Sequence, residues 1–236
     1  MQICNPMTST QLDEVIDAVG IADGAHIVDY ACGYGEVLFR AAQRACVRGV
    51  GVDLSPWMIT RAAAQAGDRS AGSTLRWVLG EARDYRPASP CDVAVCIGAE
   101  WVWHDFRGTA RALAERLQSG GVAVIGAARL HTAADPDRVR RQRGAVETVA
   151  DQRALLEHFG FEPLHRVDPD DAGWDAYLAR TAAAARDWAV LHPGQASDQW
   201  LAEQDDWQQA REHDREVIGW SVWVARQTNK VSTTRP

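Results

Sequence analysis

Lysine is almost absent: of 25 basic residues only Lys230 is a lysine, and it sits in a polar tail. A pyridoxal Schiff base needs a buried lysine, and a phosphate-binding P-loop needs one directly after its glycines, so both chemistries are excluded. Cysteine is sparse, five in number with no C-x-x-C pair. This composition builds neither a disulfide framework nor a zinc ribbon. Cys32, Cys46, Cys91 and Cys96 lie in or beside apolar segments and read as reduced, mostly buried small residues; no metal is expected. No run approaches the roughly twenty apolar residues that span a bilayer, and Met1 to Thr10 lack a basic region followed by an apolar stretch. The chain therefore reads as cytoplasmic, with no membrane partner.

What is present fits one α/β domain over residues 1–236: 46 % apolar and 24 % charged residues, with a net charge of -7. The most informative segment is Ile27-Val-Asp-Tyr-Ala-Cys-Gly-Tyr-Gly-Glu-Val-Leu38, a short apolar run that meets an acid and then turns through two glycines into a helix. Glycine tolerates positive φ and close approach by a ligand, while the first amides of the helix are unpaired donors, so the segment suits a nucleotide-like cofactor. A G-x-G-x-x-G dinucleotide site would need a third glycine where Leu38 stands. A cofactor with an adenosine and no phosphates would not. Gly51-Val-Asp53-Leu-Ser-Pro56 is a second strand ending in a carboxylate, twenty residues beyond Gly33, the spacing that places an acid beside ribose hydroxyls.

These residues resemble the class I S-adenosylmethionine-dependent methyltransferases. Asp29-x-x-Cys32-Gly33-x-Gly35-x-x-Leu38 is similar to their first motif, Asp53 to their ribose-binding acid, and Leu79-Gly80-Glu81-Ala82-Arg83-Asp84 to the adenine-recognising loop after the third strand. Glu81 departs mildly, since the family more often has Asp. Cys91 to Gly98 resembles the fourth strand and Gly120 to Ile125 the turn into the fifth. The resemblance implies a doubly wound, mostly parallel seven-stranded sheet, Rossmann-like, with a C-terminal antiparallel hairpin. It implies S-adenosylmethionine held by Asp29, Gly33, Gly35, Asp53, Leu54, Glu81, Ala82 and Gly98, with S-adenosylhomocysteine as product. The Asn/Asp-Pro-Pro-Tyr signature of base methylation is missing, which lowers support for nucleobase chemistry. A small-molecule acceptor is expected, an amine slightly favoured; RNA or protein methylation and a non-catalytic cofactor-binding module remain alternatives.

The pattern assigns a covering helix over 8–20, with Thr10 as cap and Leu12, Val15, Ile16 and Val19 as its apolar face, and a cofactor core over 21–130. Strands are expected near 26–31, 48–53, 75–79, 92–97, 121–126, 161–167 and 216–226, with Ser55 and Pro56 opening the helix after the second. The last two strands are separated by a helical insertion, 168–215, split by His192-Pro-Gly194, with Ser197 capping its second helix. The insertion is a packing layer, a lid or a homodimer contact. Residues 168–216 carry twelve acids against four basic side chains, which disfavours nucleic acid as partner. Arg138, Arg140, Arg141 and Arg143 form the opposing basic cluster. For the acceptor, the segment Ala99 to Phe106 supplies Glu100, Trp101 and Trp103, with His104 as general base, and the insertion supplies Trp174 and Tyr177.

Overall fold

The computed structural model describes residues 3–131, 146–214 and 216–228, so the four clustered arginines and Lys230 lie outside the described residues. Seven strands form one sheet in the order β3-β2-β1-β4-β5-β7-β6. They are β1 His26–Tyr30, β2 Arg48–Asp53, β3 Thr74–Leu79, β4 Cys91–Ile97, β5 Leu117–Leu130, β6 Phe161–Val167 and β7 Ile218–Gln227. The pairs from β3 to β5 are parallel, whereas β7 runs antiparallel to both β5 and β6. The strand order reverses between β1 and β4. That is the switch point at which open α/β sheets bind ligands, beyond the carboxyl ends of the strands.

Both faces of the sheet are covered, as parallel pairing demands. Ile27, Val93, Val95, Val122 and Val124 pack with Leu12, Val15 and Ile16 of helix α1 (Ser9–Val19) and Leu38 of α2 (Glu36–Arg44). Val28, Tyr30, Ala94, Cys96 and Ile125 pack on the other face with Phe106 and Leu113 of α4 (Phe106–Ala114) and Leu156 of α5 (Val149–His158). Helix α3 (Pro56–Arg69) begins as its sequence indicates, Ser55 accepting a hydrogen bond from the Met58 amide with Pro56 in the first turn. Arg40 and Arg44 on α2 reach Ser9, Asp13 and Asp17 and fasten α1 to the cofactor half of the sheet.

Four expectations are corrected. The cap of α1 is Thr8, because Gln11 returns a bond to its amide and completes a capping box that Thr10 could not. Strand β5 is longer than 121–126, with its register against β4 shifting between Cys91 and Val93. Cys46 is exposed, since it lies in the turn after α2. Ser197 does not cap the second insertion helix: α7 (Gln195–Asp214) starts directly after Gly194, and the Ser197 hydroxyl donates back to the Gly194 carbonyl. With α6 (Asp171–Leu191), α7 forms the helical hairpin between β6 and β7.

Candidate active site

Asp53 ties together the three loops on the cofactor side. Its Oδ2 accepts from the Gly33 amide at 2.8 Å, its Oδ1 from the Ser55 amide at 2.9 Å, and its carbonyl from the Gly80 amide at 2.9 Å. The loops after β1, β2 and β3 thus converge on one residue that is only 9 % exposed. Leu54 and Leu79 stand exposed beside it, Ala82 is buried, and Glu81 is half-exposed, 3.9 Å from Arg83. Gly33 turns at φ 53 with only Met58 near its missing side chain, which leaves the backbone open to a ligand. At Gly35 packing also requires glycine, since a Cβ there would stand 2.3 Å from the Trp77 ring.

Asp29 is 3 % exposed, and its Oδ2 has no hydrogen-bond partner among the described residues. Burial raises its pKa well above the usual carboxylate range, and the nearby Asp53 charge raises it further. Asp29 lines a small cavity of about 50 Å³ with Cys4, Asn5, Gly33, Tyr34 and Glu36. A buried carboxylate oxygen without a partner calls for a cation. The methionyl ammonium of S-adenosylmethionine meets that need, so the residues present fit the cofactor. Because the folded-state pKa is raised, the contribution of Asp29 to the stability of the ligand-free protein is fully present below about pH 4 and is lost as pH rises through the raised value. Asp29→Asn is expected to flatten that dependence in thermal melts while weakening S-adenosylmethionine binding through loss of the counter-charge. A variant with the wild-type pH slope would contradict the assignment.

A larger cleft of about 520 Å³ lies between the loop after β4 and the base of the α6–α7 hairpin. Gly98, Glu100, Trp101, His104, Trp174 and Tyr177 all line it, so five of the six residues assigned to acceptor chemistry come together. Trp103 does not. It turns into the core, edge-on to Tyr30 at 5.4 Å and beneath the Arg116 guanidinium at 5.1 Å. The same Arg116 donates to the Arg83 carbonyl, joining the loop after β4 to the loop after β3. His104 closes the 3-10 turn Glu100–Trp103 at φ 80, a strained backbone for a residue with a side chain, and its ring is exposed at the rim.

Glu100 lies deeper. Its Oε1 accepts from the Ala128 amide at 3.4 Å, and burial raises its pKa above the ordinary range. Trp174 stands edge-on to Tyr177 at 6.2 Å, and its indole N–H has no partner among the described residues. Sequence reasoning missed Asn5, Trp220, Arg211 and Asp214 as lining residues. Trp220 sits in the apolar strand β7, and Arg211 lines the cleft while bound to Asp171 and to the Ile218 carbonyl. Cys4 and Asn5 line both cavities, so the two adjoin beneath the N-terminal segment.

A seven-stranded sheet with this order, a glycine loop after β1 and an acid closing β2 define the class I S-adenosylmethionine-dependent methyltransferase fold. Comparisons agree. Residues 27–121 match the family model described as "Methyltransferase domain". A crystal structure of an S-adenosylmethionine-dependent methyltransferase from Geobacter sulfurreducens, in complex with S-adenosyl-L-homocysteine, is similar with a TM-score of 0.85 and 24 % identity, over 95 % of this chain and 93 % of that one. YjhP of Escherichia coli strain K12, itself uncharacterized, is 26 % identical over 81 % of this chain and 79 % of its own length. Trans-aconitate 2-methyltransferase of Streptomyces avermitilis is 39 % identical over 34 % of this chain and 30 % of its own length. The chain thus has the class I S-adenosylmethionine-dependent methyltransferase fold, and its residues 27–121 are a methyltransferase domain.

Proposed function

We propose that the protein transfers a methyl group from S-adenosylmethionine to a small molecule held in the cleft between the loop after β4 and the α6–α7 hairpin, an amine being favoured over an acid. The observation that carries this reading is the adjacency of the two cavities: Cys4 and Asn5 line both the pocket of Asp29 and Gly33 and the cleft of Glu100 and Trp174. In this reading Asp29, Gly33, Asp53, Leu54, Glu81 and Ala82 hold the donor, and Trp101, Trp174, Tyr177 and Glu100 hold the acceptor.

When bound, the donor supplies an electrophilic sulfonium methyl. The residues of the chain have three tasks: to hold the acceptor in line, to exclude water and to take a proton where the acceptor arrives protonated. Orientation alone is worth about 7 to 11 kcal/mol in well-aligned reactions. A tricarboxylate such as the substrate named for the Streptomyces relative would need cationic partners. The described cleft sets Glu100, Asp105 and Asp214 against Arg211, whose guanidinium is already bound by Asp171 and the Ile218 carbonyl. No described helix is long and apolar enough to cross a membrane.

Calorimetric titration with S-adenosylmethionine, S-adenosylhomocysteine and NAD is the first test. It should be followed by release of S-adenosylhomocysteine in the presence of amine, phenol and carboxylic acid panels. Binding of the sulfonium donor with turnover of amines is expected. Binding of NAD alone, or turnover confined to carboxylic acids, would overturn the reading.

A further inference from the structure

We propose that Glu100 binds the acceptor as a protonated amine and takes its proton, so that the cleft is built for primary or secondary amines with an apolar body of aromatic size. This inference rests on the methyltransferase reading above and narrows it. Glu100 opens the 3-10 turn after β4 and faces the cleft. Its Oε1 accepts a long 3.4 Å bond from the Ala128 amide, and beyond its own backbone amide the carboxylate finds no other hydrogen-bond donor among the described residues. No described cation forms an ion pair with it: Arg211 donates to Asp171 and to the Ile218 carbonyl while lying over the Trp174 ring at 4.9 Å. A secluded carboxylate without a counter-cation, in a cleft lined by Trp101, Trp174, Tyr177 and Trp220, is the arrangement that recognises an organic cation.

Burial disfavours the ionised form of Glu100, which makes its carboxylate a better proton acceptor than an exposed one. The ammonium R–NH3+ gives its proton to Oε2, leaving Glu100 as the neutral acid and the acceptor as R–NH2. The nitrogen lone pair then forms the N–CH3 bond as the C–S pair passes to sulfur, and the proton leaves Glu100 for solvent after release of product. The groups that share the cleft are Cys4 from the N-terminal segment, His104 and Asp105 from the loop before α4, Tyr177 of α6, and Arg211 and Asp214 of α7. The buried Cys96 of β4 also feels the Glu100 charge. His104, the base expected from the sequence, sits exposed at the rim, and no hydrogen bond from the described residues orients its ring. The geometry thus favours Glu100 over His104.

The test uses the full chain saturated with S-adenosylhomocysteine and a panel of benzylamine, phenethylamine and tryptamine, with 3-phenylpropionate as an acid of matching shape. Calorimetry in buffers of different ionisation enthalpy reads affinity and proton exchange together. At least one amine should bind better than the acid, with affinity rising as pH climbs through the raised pKa of Glu100. In Glu100→Gln that affinity should fall at least tenfold and lose its pH slope, while S-adenosylhomocysteine still binds as in the wild type. Preference for the acid, rejection of every amine, or an unchanged affinity and slope in Glu100→Gln would overturn the proposal while leaving methyltransferase activity standing. Failure of the wild type to bind S-adenosylhomocysteine would instead overturn the reading on which it rests.

Discussion

Asp53→Ala is expected to weaken S-adenosylmethionine binding by two to three orders of magnitude. The substitution removes the carboxylate proposed to bind the ribose hydroxyls and also releases two amides, Gly33 and Ser55, which it holds at 2.8 and 2.9 Å. Hydrogen bonds to a charged group are worth about 1.5–3 kcal/mol each, and about 1.4 kcal/mol is tenfold in affinity, so losing two ribose bonds alone costs at least about a hundredfold. The loop after β1 must in addition be reordered around the ligand once Gly33 is unpinned. Asp53→Asn should fall between wild type and Asp53→Ala, because one amide oxygen still accepts while its NH2 group cannot. Removing the Asp53 charge also relieves Asp29, whose raised pKa owes part of its shift to that neighbour, so the pH dependence of ligand-free stability should shrink in both variants. Calorimetry of the three proteins, with melts of the ligand-free forms, checks both consequences. A loss below fivefold in Asp53→Ala would remove the residue from the donor site.

The sequence announces the cofactor half more completely than the acceptor half for a physical reason. The loops after β1, β2 and β3 are each fixed by local chemistry: a strand that ends in an acid, a glycine at positive φ, a serine cap before Pro56. The strand spacing then brings them together without help from distant residues, and Asp53 meets Gly33 across twenty positions as a parallel pair of strands requires. The cleft proposed for the acceptor is assembled from Asn5, Glu100, Tyr177, Arg211 and Trp220, which share no periodicity and meet only after the sheet has closed. Trp101 and Trp103 illustrate the limit. They are two residues apart and chemically identical, yet one is 65 % exposed at the cleft while the other packs on Tyr30 and Arg116. The direction of each ring is set by a 3-10 turn that no residue in Ala99 to Phe106 advertises. Thr8 and Thr10 pose the same problem on a smaller scale, decided by the return bond from Gln11.

Gly108→Ala is expected to lower kcat by two orders of magnitude or more while leaving S-adenosylhomocysteine affinity within a fewfold of wild type. Gly108 lies in the first turn of α4, its amide donating to the Asp105 cap, and the Trp103 carbonyl crosses directly over it. A Cβ at this position would stand 2.0 Å from that carbonyl oxygen, well inside the 3.0 Å that real side chains keep, so the 3-10 turn must lift by about 1 Å. The obstacle is backbone, and no rotamer relieves it. That turn carries Glu100 and Trp101 into the cleft and anchors Trp103 in the core, so the displacement moves the groups proposed to face the acceptor relative to the pocket of Asp29 and Gly33. A misplacement of about 1 Å in an aligned reaction costs on the order of a hundredfold in rate. The cofactor loops are held by the hydrogen bonds that Asp53 accepts from Gly33, Ser55 and Gly80, none of them made by α4, which is why binding of the demethylated cofactor should survive. Stability should fall as well, by about 1–3 kcal/mol for a strained insertion at a packed contact. Single-turnover rates with an accepted amine, measured below the melting temperature of the variant, separate the two effects. Normal turnover would show that the loop after β4 tolerates displacement and does not position the acceptor. Loss of cofactor binding together with rate would instead place α4 in the support of the donor site.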